Sequence, residues 1–463
     1  MDASFERIRN SRGALSVFFK TFPKGAELHY HYSGGIATEL LIQQAVAGNL
    51  LLCPATSTVK PASPKPMDSC DWTPLQAYVS NGSFPAVRNQ LLEEWSIYNY
   101  IPERRETRAD HFFKTFGKFS AAKDVDVRKM LQWTKDNAVR QNIAYMEVML
   151  TGPKGPRFDA SLEAQLLAVQ EARNATAAAH LLGEVFQTVD AATWKDITDK
   201  YVKNVELVGS GFDDANFTMR YLAYGTRVLP PLYVFGGLAV SFMASQASPL
   251  VVGVNLVGAE TDVTALRDFW LHMQMVRYLR QKYPAVRVAL HAGEMTPDLA
   301  EPQDLTHHVK DSVTVAMAHR IGHGEDLPFE DDVEGTLKFM LKHGVALEVL
   351  LTSNEFVLPQ SEGDRHSFPL YFAAGVPMVL SSDDPGILRT SQTEQFMTLA
   401  YKYDNVRYAD IKATVLNSIR YSFIKEPQLK ARIYSKVQDD LAAFEAEWLS
   451  KGAPFYDMRK LLP

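Results

Sequence analysis

Three short apolar runs in the second half of the chain each stop at residues able to bind a metal or move a proton. Val286 to Leu290 runs into His291-Ala292-Gly293-Glu294. Arg320-Ile321 is followed by Gly322-His323-Gly324-Glu325-Asp326, and Leu380 by Ser381-Ser382-Asp383-Asp384. Near the start, Glu27-Leu28-His29-Tyr30-His31 reads as a short strand, whose alternate residues His29 and His31 face one side. Two imidazoles at that spacing can grip one ion. His29, His31 and His291 with Asp383 offer three neutral nitrogens and one carboxylate oxygen, a set suited to zinc with a position left for water. Zinc lowers the pKa of such a water towards about 7. His323 would then orient or deprotonate the water, Glu294 would shuttle protons, and Asp384 would meet the substrate. A two-metal site competes for the same ligands. The strand ending near Leu150 is followed by Thr151, with Lys154 offset, so a single ion is the better fit.

The elements that carry these residues alternate. Helix signals cover residues 4–21, 36–48, 162–182, 191–205 and 263–283. Strand signals cover Ile143–Leu150, Thr218–Tyr224, Val251–Val257, the run to His291, Val315–Ile321, Val345–Leu351 and Val376–Leu380. Alternating βα units predict a parallel sheet. In a barrel of such strands, catalytic side chains sit just past the C-terminal strand ends, where all of the polar sets above fall. The segment between the first two strands, residues 49–140, reads as a loop and helical insertion. It opens with a Pro/Ser-rich stretch flanked by Cys53 and Cys70, either a disulfide-stapled loop or two free thiols. Its later aromatics, among them Trp95, Phe112, Phe116, Phe119 and Trp133, read as core.

Composition narrows the field. At 463 residues and 46 % hydrophobic, the chain can bury one large barrel core. A net charge of -6 argues against a general nucleic-acid binder, which would show a basic face. No C-x-x-C pair is present, which disfavours a thiolate zinc site. Residues 228–259 carry no charge, but Pro230, Pro231, Gly236, Gly237 and Pro249 interrupt them, so a helix followed by a buried strand is expected rather than a membrane span. The N-terminus shows no leader pattern. A soluble chain is expected, cytoplasmic or exported after removal of a leader not present in this sequence.

The set PKGAELHYH, NLVGAE, HAGE, RIGHG and SSDDPG, in this order from about Pro23 to Leu388, resembles the adenosine deaminase family of metal-dependent amidohydrolases. The run Phe112-Phe113-Lys114-Thr115-Phe116 and the cysteine-flanked insertion are similar to its longer, growth-factor-related branch, which implies export and a homodimer. The resemblance implies a (β/α)8 TIM barrel as one domain over residues 1–463, with an N-terminal helical extension over 1–22. It implies one zinc ion per chain on His29, His31, His291 and Asp383, and hydrolytic removal of ammonia from adenosine or 2'-deoxyadenosine. By the same resemblance Glu294 protonates purine N1, His323 positions the attacking hydroxide, Asp384 bonds N7 and the backbone of Gly258 bonds N3. Three departures stand out. Ser33 replaces an aspartate that would reach the 5'-hydroxyl, Asn255 stands at a strand end where aspartate is common, and Leu350-Leu351 precede Thr352-Ser353-Asn354 in place of Cys-Pro. Two other readings follow: a related aminohydrolase acting on another purine or modified adenosine, and a secreted signalling protein on the same fold.

Overall fold

A computed structural model describes residues 1–450 apart from 65, 67, 103–105 and 359–365. Eight parallel strands run β1 (Gly25–His31), β2 (Ile143–Met149), β3 (Thr218–Thr226), β4 (Val251–Val257), β5 (Arg287–Ala292), β6 (Arg320–His323), β7 (Ala346–Val349) and β8 (Met378–Leu380), paired in sequence order. A parallel bridge between Tyr30 and Asp383 joins the last strand's exit to the first strand and nearly closes the barrel. The backbone makes that seam directly, with Asp383 N–H donating to His29 O at 3.0 Å and His31 N–H to Asp383 O at 3.1 Å.

The strands are buried on both faces because helices cover the outside and packed side chains fill the inside. Three carry a carboxylate in an otherwise apolar run: Glu27 in β1, Glu147 in β2 and Glu348 in β7. All three are buried, as is Arg320 at the start of β6. Arg320 pairs with Glu147 Oε2 at 2.6 Å and with Glu348, and its guanidinium lies 3.7 Å from the Phe423 ring centroid. A buried charge must be paired to be tolerated, and this one bridges opposite walls of the barrel.

Several boundaries differ from the sequence reading, each for a local reason. The N-terminal segment is two helices, Asp2–Glu6 and Arg12–Thr21, because Ser11 takes up an N-cap position and accepts from Ala14 N–H at 3.2 Å. The stretch 162–182 likewise divides, into Ser161–Glu171 and Ala175–Gln187, where Arg173 turns left-handed and Asn174 caps the second helix. Val315 to Ala318 are not strand. They follow the helix His308–Thr314 in a turn with Met317 at φ 55°, and β6 begins only at Arg320. The insertion is not purely loop and helix, since Leu51–Cys53, Thr58–Lys60 and Thr73–Pro74 form a three-stranded antiparallel sheet. Cys53 and Cys70 are joined by a disulfide. The uncharged stretch is the helix Pro231–Ala247 followed by β4, and no helix among the described residues is long and apolar enough to cross a membrane.

Candidate active site

The four proposed ligands converge at the C-terminal end of the barrel. His29 and His31 lie on β1, His291 on β5 and Asp383 just past β8. One ligand atom from each falls within 4.8 Å of all the others. His29 Nε2 and His31 Nε2 each lie 3.0 Å from His291 Nε2, and Asp383 Oδ1 is 3.3 Å from His31 Nε2 and 3.6 Å from His29 Nε2. Ligand atoms about 2.0–2.1 Å from a tetrahedral zinc ion would stand about 3.3 Å apart, so this spacing suits such an ion.

Hydrogen bonding behind the cage fixes the tautomers. His29 Nδ1–H donates to Glu348 Oε2 at 2.6 Å, and His291 Nδ1–H donates to Asn255 Oδ1 at 2.9 Å. Asn255 is held in that orientation because its Oδ1 also accepts from Leu256 N–H at 2.7 Å. Both Nε2 atoms therefore carry bare lone pairs that face each other at 3.0 Å, a repulsive contact in a pocket where they are buried unless a cation lies between them. Burial drives His31 down to about 4 and His291 well below its ordinary value, so both are neutral and ready to ligate. Burial pushes the Asp383 carboxyl up, but a proton on the neighbouring His29, His31 or His323 ring outweighs it and pulls the carboxyl below its ordinary value. The donor set fits zinc.

Around the cage stand the remaining residues singled out in the sequence. His323 sits at the end of β6 with φ 71°, and its Nδ1 lies 3.0 Å from Asn354 Oδ1. That bond makes Nδ1 the N–H donor and leaves Nε2 a bare, buried acceptor with no partner among the described residues. Asp383 also has positive φ, 64°; strained backbone of this kind concentrates at functional sites. Glu294 lies beyond Gly293, its Oε1 3.7 Å from His323 Nδ1. Burial, reinforced by Asp383 and Glu260, raises its carboxyl well above the ordinary range. Its backbone is fixed by Glu294 N–H donating to Glu260 Oε2 at 2.9 Å. Glu260 in turn meets His308 at 2.7 Å and Arg227 at 3.4 Å, which overcome burial and hold it ionised, at about 2. Asp384 is raised by burial and by Asp383, and its buried Oδ1 has no partner among the described residues.

Gly34 makes room for Asp384, since a Cβ there would lie 1.8 Å from its Oδ1. Ser33 is half-buried on the short helix Tyr32–Gly35 directly after His31, and Gly258 follows β4 with φ 103°. The sequence reading missed Glu348, Asn354, Glu260, His308 and Arg227 as supports. A charge inside an apolar strand, as in Leu347-Glu348-Val349, is the signal that would have found the first of them.

The chain is similar in sequence and fold to known deaminases. The adenosine deaminase family model matches residues 121–440. An adenosine deaminase of Phlebotomus duboscqi is 24% identical over 96% of this chain and 79% of its own length. Human adenosine deaminase 2 is 23% identical over 90% of this chain and 77% of its own. An adenine deaminase of Chelativorans matches only in part, 28% identical over 43% of this chain and 56% of its own length. Among solved structures, the N6-methyl-AMP deaminase of Arabidopsis thaliana covers 92% of this chain and 98% of its own at a TM-score of 0.56 and 16% identity. The adenine deaminase of Arthrobacter aurescens covers 90% and 98% at 0.53 and 17%. With a matching family model over more than two thirds of its length and an eight-stranded parallel barrel, the chain belongs to the adenosine deaminase family.

Proposed function

We propose that the chain is a zinc-dependent aminohydrolase that converts adenosine or 2'-deoxyadenosine to the corresponding inosine with release of ammonia. His29, His31, His291 and Asp383 would hold the ion, which supplies Lewis acidity that makes water nucleophilic near neutral pH. The observation that carries the purine reading is a match of donors to acceptors. Adenine N1, N3 and N7 are all acceptors, and two of the groups assigned to them are carboxyls that burial keeps protonated. Glu294 donates to N1, which draws electrons from C6. Asp384 donates to N7, and the backbone N–H of Gly258 donates to N3.

His323 Nε2, an acceptor without a partner, takes a proton from water as its oxygen bonds to C6. The C6–N6 bond then breaks as the amino group takes the proton held by His323 and leaves as ammonia, while the new C6 hydroxyl gives its proton to Glu294, leaving a carbonyl at C6 and the donated hydrogen on N1. A phosphorylated substrate would want a cluster of Arg or Lys near its 5' end, and the sequence around Ser33 offers none, which favours a neutral nucleoside; the partner is thus a small purine. The chain acts as one catalytic domain over 1–463, with 1–22 an N-terminal extension and 49–140 an insertion.

Ammonia release from a panel of adenosine, 2'-deoxyadenosine, adenine and N6-methyl-AMP, with metal analysis of the same sample, tests this. Adenosine turnover with one zinc per chain is expected. A metal-loaded sample that turns over adenine or N6-methyl-AMP and leaves adenosine untouched would overturn the substrate assignment.

A further inference from the structure

The opposite end of the barrel holds a cavity of about 540 Å³, lined where β4, β5 and β6 begin and by the segment Arg420–Lys425. That volume lies within the range of small-molecule sites, about 300–1,000 Å³. Its lining includes Arg287, Arg420, Lys425 and Lys430, together with His319 and Phe423, and no Asp or Glu among the described residues. Glu147 and Glu348 are committed to Arg320 behind the Phe423 ring, and Glu426, next to Lys425 in the chain, opposes part of that lysine's charge from outside the lining.

The two lysines hydrogen-bond to backbone carbonyls. Lys425 Nζ donates to Ser245 O and to Ser248 O at 2.8 Å, and Lys430 Nζ to Arg420 O at 2.7 Å and Ser422 O at 2.8 Å. These carbonyls orient the ammonium groups without cancelling their charge. Burial lowers Lys425 to about 8 against an opposing pull from Glu426, and it lowers Lys430, where Glu147 opposes it and Arg287 and Arg320 add repulsion. His319, driven to about 3 by burial and by Arg280, Arg287 and Arg320, is neutral and relieves none of it. Arg287, Arg420 and Lys425 are exposed and Lys430 is half-buried, so four cations line one concave space in a protein of net charge -6, and an anion there would relieve their mutual repulsion.

We propose that this cavity binds a small molecule carrying two or more phosphates, held by Arg287, Arg420, Lys425 and Lys430. Two guanidiniums offer planar forks for phosphate oxygens and two ammoniums offer point charges. The site is separate from the proposed catalytic end and does not depend on the substrate assigned there.

Titration calorimetry of the full chain with inorganic tripolyphosphate and with GTP tests the site. Both probes are expected to bind, more weakly as salt is raised. The double variant Arg287→Glu, Arg420→Glu should weaken binding by about a hundredfold or more, since it removes two of the four cations and puts carboxylates in their place. Circular dichroism establishes that the variant is folded, and the milder Arg420→Gln should show a smaller loss in the same direction. Glu294→Gln, at the other end of the barrel, should bind as wild type does. GTP binding tighter than tripolyphosphate supports the site and adds a base contact; equal binding supports a phosphate-only site. Absence of binding by both probes at millimolar concentration, or binding undiminished in the folded double variant, overturns the proposal.

Discussion

The two carboxyls assigned to donate to the ring make a claim about protonation that a pH profile can test. Glu294 is raised mainly by burial, and its protonated form is the active one. Activity is therefore present below its pKa and lost as pH rises through it, so the alkaline limb of kcat should lie above the ordinary carboxylate value of about 4.3. Replacing it by Gln should lower kcat by about 10²–10⁴-fold, flatten that limb and leave zinc content unchanged. Asn255 tests a support rather than a reactant. Its Oδ1 accepts from His291 Nδ1, and Asn255→Ala should weaken metal affinity by about 10–100-fold, read by competition with a chromogenic chelator. An aspartate at this position would do the same job with a charge; the amide oxygen suffices because the geometry, not the charge, selects the tautomer. The sequence could single out His291 from its place at a strand end. It could not name Asn255 or Glu348 as the partners that aim the imidazoles, because those contacts join residues 36 and 319 positions apart.

Among the elements, the helix Tyr32–Gly35 is the most exacting for its size. It turns the chain away from β1 directly after the second histidine and brings Gly34 against Asp384. Gly34→Ala should push the Asp384 carboxyl aside and cut kcat/KM by about 10²-fold or more while thermal stability changes little, a split seen by comparing kinetics with a melting curve. The barrel strands were legible because parallel strands buried on both faces leave near-continuous apolar runs. Their edges were less so. The run Val313-Thr314-Val315-Ala316 has strand composition but ends a helix, since Val315 N–H and Ala316 N–H both return to Asp311 O. The divisions of the N-terminal and 162–182 helices were written in Ser11 and Asn174, residues that cap as readily as they continue a helix. The small sheet of the insertion was hidden by strands of two or three residues, too short for any periodicity.

At the scale of the whole molecule, the buried Arg320 ties together Glu147 of β2 and Glu348 of β7, and Glu348 passes that order on to His29. A bound ion would add its own cross-link between β1, β5 and the exit of β8. Stripping it with a chelator should lower the melting temperature, by an amount that grows with the logarithm of free metal over Kd, and restoring zinc should reverse the loss. A melting curve indifferent to chelator would mean that the four residues share no ion.

The seam between Tyr30 and Asp383 has a further consequence for how such a protein comes into being. Its first and last metal-binding side chains are separated by almost the entire barrel sequence, yet they meet across one backbone bridge. While the chain is still being synthesised, the two N-terminal imidazoles wait without their acidic counterpart. The fourth coordinating group emerges only when the eighth strand does. With the proposed ligand set, activity could not precede topological completion: ring closure and ion capture would be a single late event, and a nascent polypeptide halted before residue 383 would have neither.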